Sequence, residues 1–455
     1  MKLKNLKSVP EALLNRLNIA KEKILLENDT IKIVSHYDAD GICAAGILCN
    51  IFIREGKKFH VTLTRSLKDE QVEFFKKENY PTTIFCDMGS NRIDEFSEFA
   101  GDVIILDHHS ALDDSEDPLL INPNFFGMDG SYDICASSLA FLLSLVISQD
   151  NWDLSALGLA GVIGDKQHMD GLKGFNAEMT NIAKEKGILV EKMSFKLNGF
   201  TLKNALVEGL DPFIRNMSGR EDKVLEFLSR MNFNPNTRIE DMAESQKRLL
   251  ASAIIVQLLA QNVRPEIAEG VVTTKYWLPQ WNLYASDLSN YVNSCGRMNN
   301  MGCGLALCLG DEISLKKAKE LRKAYKDELR QGLLKLETEG AHQKKNIQFF
   351  YAENPSLAGA KAGLGMMYLF DQEKPTFALS VLEKETKVSS RGTRYLVSKG
   401  LDLALACREA ATGVRGVGGG HPIASGATIP KGKEEDFLNL LDDIIGKQLK
   451  NKDVH

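Results

Sequence analysis

Residues 31–56, IKIVSHYDADGICAAGILCNIFIREG, carry the reading that decides the fold. IKIVS (31–35) is a short β-branched run. ICAAGILCNIFIREG (42–56) then has apolar residues spaced by three and four, so a strand passes into a helix at Gly41. The alternation continues outward. FHVTL (59–63), TTIFC (82–86) and VIIL (103–106) read as strands, and KDEQVEFFKKEN (68–79) reads as an amphipathic helix. ICASSLAFLLSLVIS (134–148) and LSALGLAGVIG (154–164) read as buried helices. Strands and helices in turn predict βαβ units and a parallel sheet, an α/β class.

The chain has 455 residues, too many for one core, because single cores stop growing near ~250–300 residues. Residues 171 to about 300 lose the alternation and read as mainly helical, ISLKKAKELRKAYKDELRQGLLKLETEG (313–340) is a long charged helix, and NIQFFYA, TFALSVLE and TKVSS return to strands. The division is therefore 1–170, a parallel-sheet domain; 171–310, a helical insertion; 311–345, a connecting helix; and 346–455, a smaller α/β domain.

Composition excludes several classes. With 44% hydrophobic and 26% charged residues the chain is globular rather than disordered, and its net charge of −5 argues against a protein coated in basic charge for wrapping duplex DNA while leaving room for a local basic groove. Apolar runs such as 139–147 fall short of the ~18–20 residues of a membrane helix, and MKLKNLKSVPEALL lacks a signal-peptide core. A cytoplasmic location and no membrane partner are expected. Eight cysteines without a CxxC pair fit a reduced compartment and core packing better than disulfides or zinc.

Three of the first four strands end in residues of metal-ligand type. IKIVS is followed by His36, Asp38 and Asp40, TTIFC by Asp87, and VIIL by Asp107, His108 and His109. Open α/β sheets bind ligands outside the carboxyl ends of their strands, so these side chains should converge on one crevice. Asp165 ends the helix at 154–164 and joins them. A single Asp at a strand end is commonly a cap; four coordinated motifs are hard to explain that way. Imidazoles and carboxylates without thiolates suit manganese or magnesium, and two such ions ~3.5–4 Å apart suit phosphate-ester hydrolysis.

HYDADG (36–41), Asp87, Asp107-His108-His109 and Asp165 resemble the four motifs of the DHH superfamily of phosphoesterases, and the chain is similar to archaeal RecJ-type single-strand exonucleases. That resemblance implies His36, Asp38, Asp40, Asp87, His108 and Asp165 as ligands of two Mn2+ ions, with Mg2+ as a substitute and Asp87 bridging. It makes His109 the residue facing the scissile phosphate and Asp107 the one that orients the histidine pair. His36 stands where many bacterial RecJ proteins carry Asp.

REAATGVRGVGGGHPIASGATI (408–429) looks like the GGGH motif of the DHH-associated C-terminal domain, and Arg391 in KVSSRGT matches the Ser-x-Arg strand that accompanies it. Gly418, Gly419, Gly420 and His421 are read as a glycine-rich loop whose open N–H groups, with Arg391, hold a substrate phosphate. NYVNSCGRMNNMGCGLALCLGD (290–311) also resembles the archaeal RecJ-type proteins. The implied substrate is single-stranded DNA or RNA, clamped between the two family domains. Two other functions stay open. One is hydrolysis of short oligonucleotides or nucleotides. The other is a replisome scaffold associated with the GINS complex, for which the inactive relatives have lost the ligands present here.

Overall fold

The computed structural model describes residues 6–169, 171–197, 199 and 201–450. They divide into two compact units, one running up to Lys192 and taking in Thr274–Tyr325, the other formed by Met193–Thr273 and the chain from Lys326 onward. The division drawn from the sequence sets its boundaries at 170, 310 and 345; the compact units divide at 192, 273 and 325.

The first unit is built on β1 (Ile31–His36), β2 (Phe59–Thr64), β3 (Thr82–Cys86), β4 (Asp102–Leu106) and β5 (Leu119–Ile121). Their order is β2-β1-β3-β4-β5 and every pair is parallel. Helices flank the sheet: α1 (Glu11–Leu26), α2 (Ala39–Arg54), α3 (Asp69–Glu78), the single turn α4 (Ile93–Phe96), α5 (Ala136–Ile147) and α6 (Ser155–Gly164). Both faces are buried, which explains the near-continuous apolar strands. Ile33, Ile84 and Ile104 pack with α1, α2, α5 and α6, while Val34, Phe85 and Ile105 pack with Val72 and Phe75 of α3 and Phe96 of α4.

The stretch read as helical also holds β6 (Val190–Phe195), β7 (Val272–Leu278) and β8 (Leu283–Tyr284), a three-stranded sheet in that order. VTTKYWL is rich in β-branched and aromatic residues but does not alternate apolar with polar, so nothing in its spacing sets it apart from the helices around it. The second unit has β9 (His342–Gln343), β10 (Gln348–Tyr351), β11 (Thr376–Val381), β12 (Glu385–Arg391), β13 (Val417–His421) and β14 (Ala424–Pro430) in the order β13-β14-β12-β11-β10-β9. Phe349, Phe377, Leu379 and Val388 form its core with Phe437, Leu441 and Ile445 of the last helix.

Gly418-Gly419-Gly420-His421 is not a loop. It is strand β13, paired antiparallel with β14 at the sheet edge. A side chain at Gly418 would strike the Cys407 carbonyl oxygen at 2.4 Å, and Gly420 has φ +144°, so two of the three glycines are required by the backbone. Only Gly419 faces open space.

All eight cysteines are free, and no helix among the described residues is long and apolar enough to cross a membrane. Seven of the cysteines are buried, as core packing predicts, and Cys303 is only partly so.

Candidate functional site

In a sheet ordered 2-1-3-4-5 the chain reverses direction of growth between β1 and β3, and a crevice opens above that point. His36 ends β1, Asp38 caps α2, and Asp87 follows β3. His36 Nδ1 lies 3.1 Å from Asp38 Oδ2 and 3.1 Å from Asp87 Oδ2. Asp38 also accepts a hydrogen bond from the Gly41 N–H at 3.1 Å, which fixes its side chain at the helix start. Asp87 adopts φ +60°, a left-handed conformation that Asp tolerates better than most residues, and this turns its carboxylate into the crevice.

Asp40 enters from the first turn of α2 and is 3% exposed. It accepts from the backbone N–H groups of Ala136 at 2.8 Å and Ser137 at 2.9 Å, and from the Cys135 thiol at 2.9 Å, at the start of α5. A side chain at Gly161 would strike Ser137 Oγ at 2.0 Å and Asp40 Oδ1 at 2.7 Å, so α6 packs flush here and brings Asp165 in at its end. Gln167, buried, donates to Asp165 Oδ2 at 2.8 Å and to the Gly130 carbonyl at 2.8 Å, and accepts from Asn176 at 2.7 Å.

After β4, Asp107 accepts from the backbone N–H groups of His108 at 2.8 Å, His109 at 3.2 Å and Ser90 at 3.0 Å, and from His109 Nδ1 at 2.7 Å. His108 Nδ1 donates to the Gly130 carbonyl at 2.6 Å, which leaves Nε2 as the unprotonated nitrogen of the neutral ring. That Nε2 lies 3.2 Å from Asp87 Oδ1, 3.7 Å from Asp40 and 3.9 Å from Asp165. Three sets of candidate ligands therefore meet, His36 with Asp38 and Asp87, Asp87 with His108 and His109, and Asp40 with His108 and Asp165, each with ligand atoms within 4.8 Å of one another.

The electrostatics show what this packing lacks. Burial and then the Asp87 charge push the Asp40 carboxyl up, and burial with Asp40, Asp87 and Asp38 pushes Asp165 up to about 7 against the pull of His108. Burial would lower His36 and His108, but the carboxylates around them reverse this and leave both well above the ordinary histidine value. Burial would likewise raise Asp107, yet His109, His108 and the Ser90 N–H hold it well below the carboxylate range. Protons thus hold together an excess of acidic groups that a divalent cation would neutralise, and the oxygen and imidazole donors fit a hard cation such as manganese or magnesium.

A pH dependence follows. Raised values mean that protons occupy these ligands in the metal-free protein, so a metal must displace them and its affinity rises with pH. Mn2+ affinity measured by calorimetry should fall as pH drops below about 7. The heat should also vary with the buffer's ionisation enthalpy, reporting proton release; a flat profile from pH 5.5 to 8 would contradict the ligand set.

In the second unit, Arg391 pairs directly with Ala424, and Ala424 with His421. Directly opposed residues of antiparallel strands point to the same face, so Arg391 and His421 share one face of the sheet, two strand spacings of ~4.8 Å apart. The guanidinium of Arg391 lies over Gly359 in the helix Pro355–Tyr368, where a side chain would meet Nη2 at 2.6 Å.

Sequence reasoning missed the residues that hold the ligands. Gln167 is two positions from Asp165, and Asn122, in the Asn-Pro-Asn turn after β5, donates to Ser90 Oγ at 2.9 Å and to the His109 carbonyl at 2.8 Å. That turn was the one local signal. Arg297, on the helix Ala285–Arg297, donates to the Tyr37 hydroxyl at 2.6 Å from a segment about 260 residues away in sequence.

Residues 30–160 match the family described as "DHH family, N-terminal domain", and residues 353–447 match the DHHA1 domain. An uncharacterized protein of Methanocaldococcus jannaschii is 32% identical over 99% of both chains. RecJ of Thermus thermophilus, solved in complex with Mn2+, superposes with TM-score 0.61 at 17% identity; the match covers 97% of this chain and 56% of that one. CDC45 of Entamoeba histolytica superposes with TM-score 0.64 at 12% identity, covering 96% and 97%. The intact acidic and histidine motifs, the two domain matches and the near full-length relative make this chain a member of the DHH superfamily, with a fold like that of RecJ.

Proposed function

We propose that the protein is a metal-dependent phosphodiesterase, an exonuclease that hydrolyses single-stranded DNA or RNA with two divalent ions. The observation that carries this reading is the position of Asp87, whose Oδ2 faces His36 while Oδ1 faces His108. A carboxylate with one oxygen in each of two ligand sets is suited to bridge two ions. His36 and Asp38 complete one set, Asp40, His108 and Asp165 the other. When bound, the ions supply positive charge against the phosphate and an activated water.

The chain's own residues do the rest. Asp107 fixes the His109 ring, and although burial works against it, the Asp107 charge raises the His109 value and favours an imidazolium that faces the phosphate. Arg391 and His421, side by side on one sheet face, are suited to hold a phosphate of the strand that is not being cleaved.

End-labelled DNA and RNA strands of graded length, incubated with Mn2+ and followed on a gel, test the reading. Stepwise shortening that EDTA abolishes is the expected result; chelation-resistant hydrolysis, or hydrolysis of nucleotides alone, would overturn it. Arg391→Ala and His421→Ala should each lower kcat/KM about tenfold or more, on the order of 1.4 kcal/mol, with Mn2+ affinity unchanged. Normal turnover in both variants would remove the grip assigned to this strand row.

A further inference from the structure

The three-stranded sheet presents two different faces. On β7, Tyr276 and Leu278 turn inward against the first unit's core, and Glu191 of β6 lies on the Tyr276 side, where it forms an ion pair with Lys184 at 2.7 Å. Alternation along the strands puts Lys275, Trp277 and Lys192 on the other side. There Trp277 stands directly opposite Tyr284 of β8, the rings meeting edge to face with centroids 5.1 Å apart. The Lys192 ammonium lies 5.3 Å from the Trp277 ring centre, and that of Lys275 lies 5.5 Å from the Tyr284 ring centre. Trp277 and Tyr284 are only half-buried and Lys192 is exposed, while Lys275 is buried.

Aromatic rings interleaved with ammonium groups are the chemistry of single-strand binding, in which bases stack on rings and cations track phosphates without reading sequence. The acidic residue of β6 is turned to the opposite face. A protein partner recognised through an apolar patch would not need lysines laid over both rings. From these observations we infer that this face is a second binding site for single-stranded nucleic acid, formed by Trp277, Tyr284 and Lys192. It rests on the nuclease reading above and extends it, by giving the strand a grip away from the reacting bond.

The helix that begins immediately after Tyr284 ends at Arg297, whose side chain reaches Tyr37 beside His36. Its 13 residues span about 20 Å. A strand stacked at ~3.4 Å per nucleotide covers that distance in about six nucleotides, so only longer strands engage both sites.

The test uses the full-length protein, with Trp277→Ala and Lys192→Glu made separately, the second at an exposed position that keeps the fold. Binding of a fluorescein-labelled 20-nucleotide oligothymidylate is measured in EDTA, and Mn2+-dependent cleavage of the 20-mer and of a 3-nucleotide strand is measured in parallel. Each variant should bind the 20-mer about five- to tenfold more weakly, and both should cleave the 3-mer within twofold of the wild-type rate. The wild type should also show quenching of tryptophan emission by the 20-mer that Trp277→Ala lacks. Unchanged 20-mer affinity in both variants would overturn the inference and leave the nuclease reading standing. Loss of 3-mer cleavage in step with 20-mer binding would also overturn it, because the face would then act through the fold. If the wild type cleaves neither strand, the nuclease reading fails, and the EDTA binding arm alone decides this site.

Discussion

Asp87→Asn is expected to lower Mn2+-dependent hydrolysis by a factor on the order of 10³ or more while the metal-free protein melts within a few degrees of the wild type. The carboxylate is the one side chain whose two oxygens face both ligand sets. An amide keeps the shape and one acceptor but removes the negative charge that both ions would share. Asn is the informative replacement because it tolerates φ +60°, whereas Ala there adds left-handed strain of ~1–2 kcal/mol and would mix a fold effect into the result. Little stability is at stake because two effects oppose: neutralising Asp87 relieves its repulsion of Asp40 but weakens its attraction for His36 and His108. Steady-state rates with Mn2+ and a calorimetric melt in EDTA check both halves. A variant within tenfold of the wild-type rate would show that the carboxylate does not bridge.

How much of this was legible in the sequence depends on whether the information is local. Strands that alternate with helices announce the parallel sheet, and a parallel sheet places every strand's carboxyl end on one side, so His36, Asp87 and His108 could be brought together on paper. Asp165 is different. It reaches the others only because Gly161 lets α6 press against Ser137 and Asp40, a contact between residues far apart in the chain. Leu119–Ile121 escapes a sequence reading because three residues carry no periodicity. The glycine run misleads for a physical reason: glycine is disfavoured in strands, but here the edge strand must pass against the Cys407 carbonyl, and no other residue fits. Arg391 and His421 stand out one at a time, yet their shared face is a matter of register across β12, β14 and β13, which spacing cannot give.

Asp40 joins the site to the fold, so its two substitutions should separate through buried hydrogen bonds, where those of Asp87 separate through backbone strain. Its carboxylate accepts two backbone N–H groups and a thiol at the start of α5, all buried, and Asp40→Ala leaves those donors without an acceptor. Stranding buried donors costs ~1–3 kcal/mol each, and partial relaxation brings the expected loss to about 2–4 kcal/mol. Melting in EDTA should therefore fall by roughly 4–16 °C, at ~2–4 °C per kcal/mol for a unit of this size. Asp40→Asn keeps one acceptor oxygen, enough for the Ser137 N–H and the Cys135 thiol, but sets its amide nitrogen against the Ala136 N–H. Burial and the Asp87 charge already favour the uncharged acid, so the amide loses one bond rather than three and should melt between Asp40→Ala and the wild type in EDTA. Hydrolysis should be lost in both. The difference shows when Mn2+ is added, because a ligand that binds only the folded state at 100 times its Kd stabilises it by ~2.7 kcal/mol. The wild type should gain that rise in Tm, and Asp40→Asn should gain little of it. If Asp40→Ala melts with the wild type, the carboxylate does not hold α5. If Asp40→Asn keeps the full manganese shift and the wild-type rate, Asp40 supports the helix but is no ligand, and the second set reduces to His108, Asp165 and Asp87.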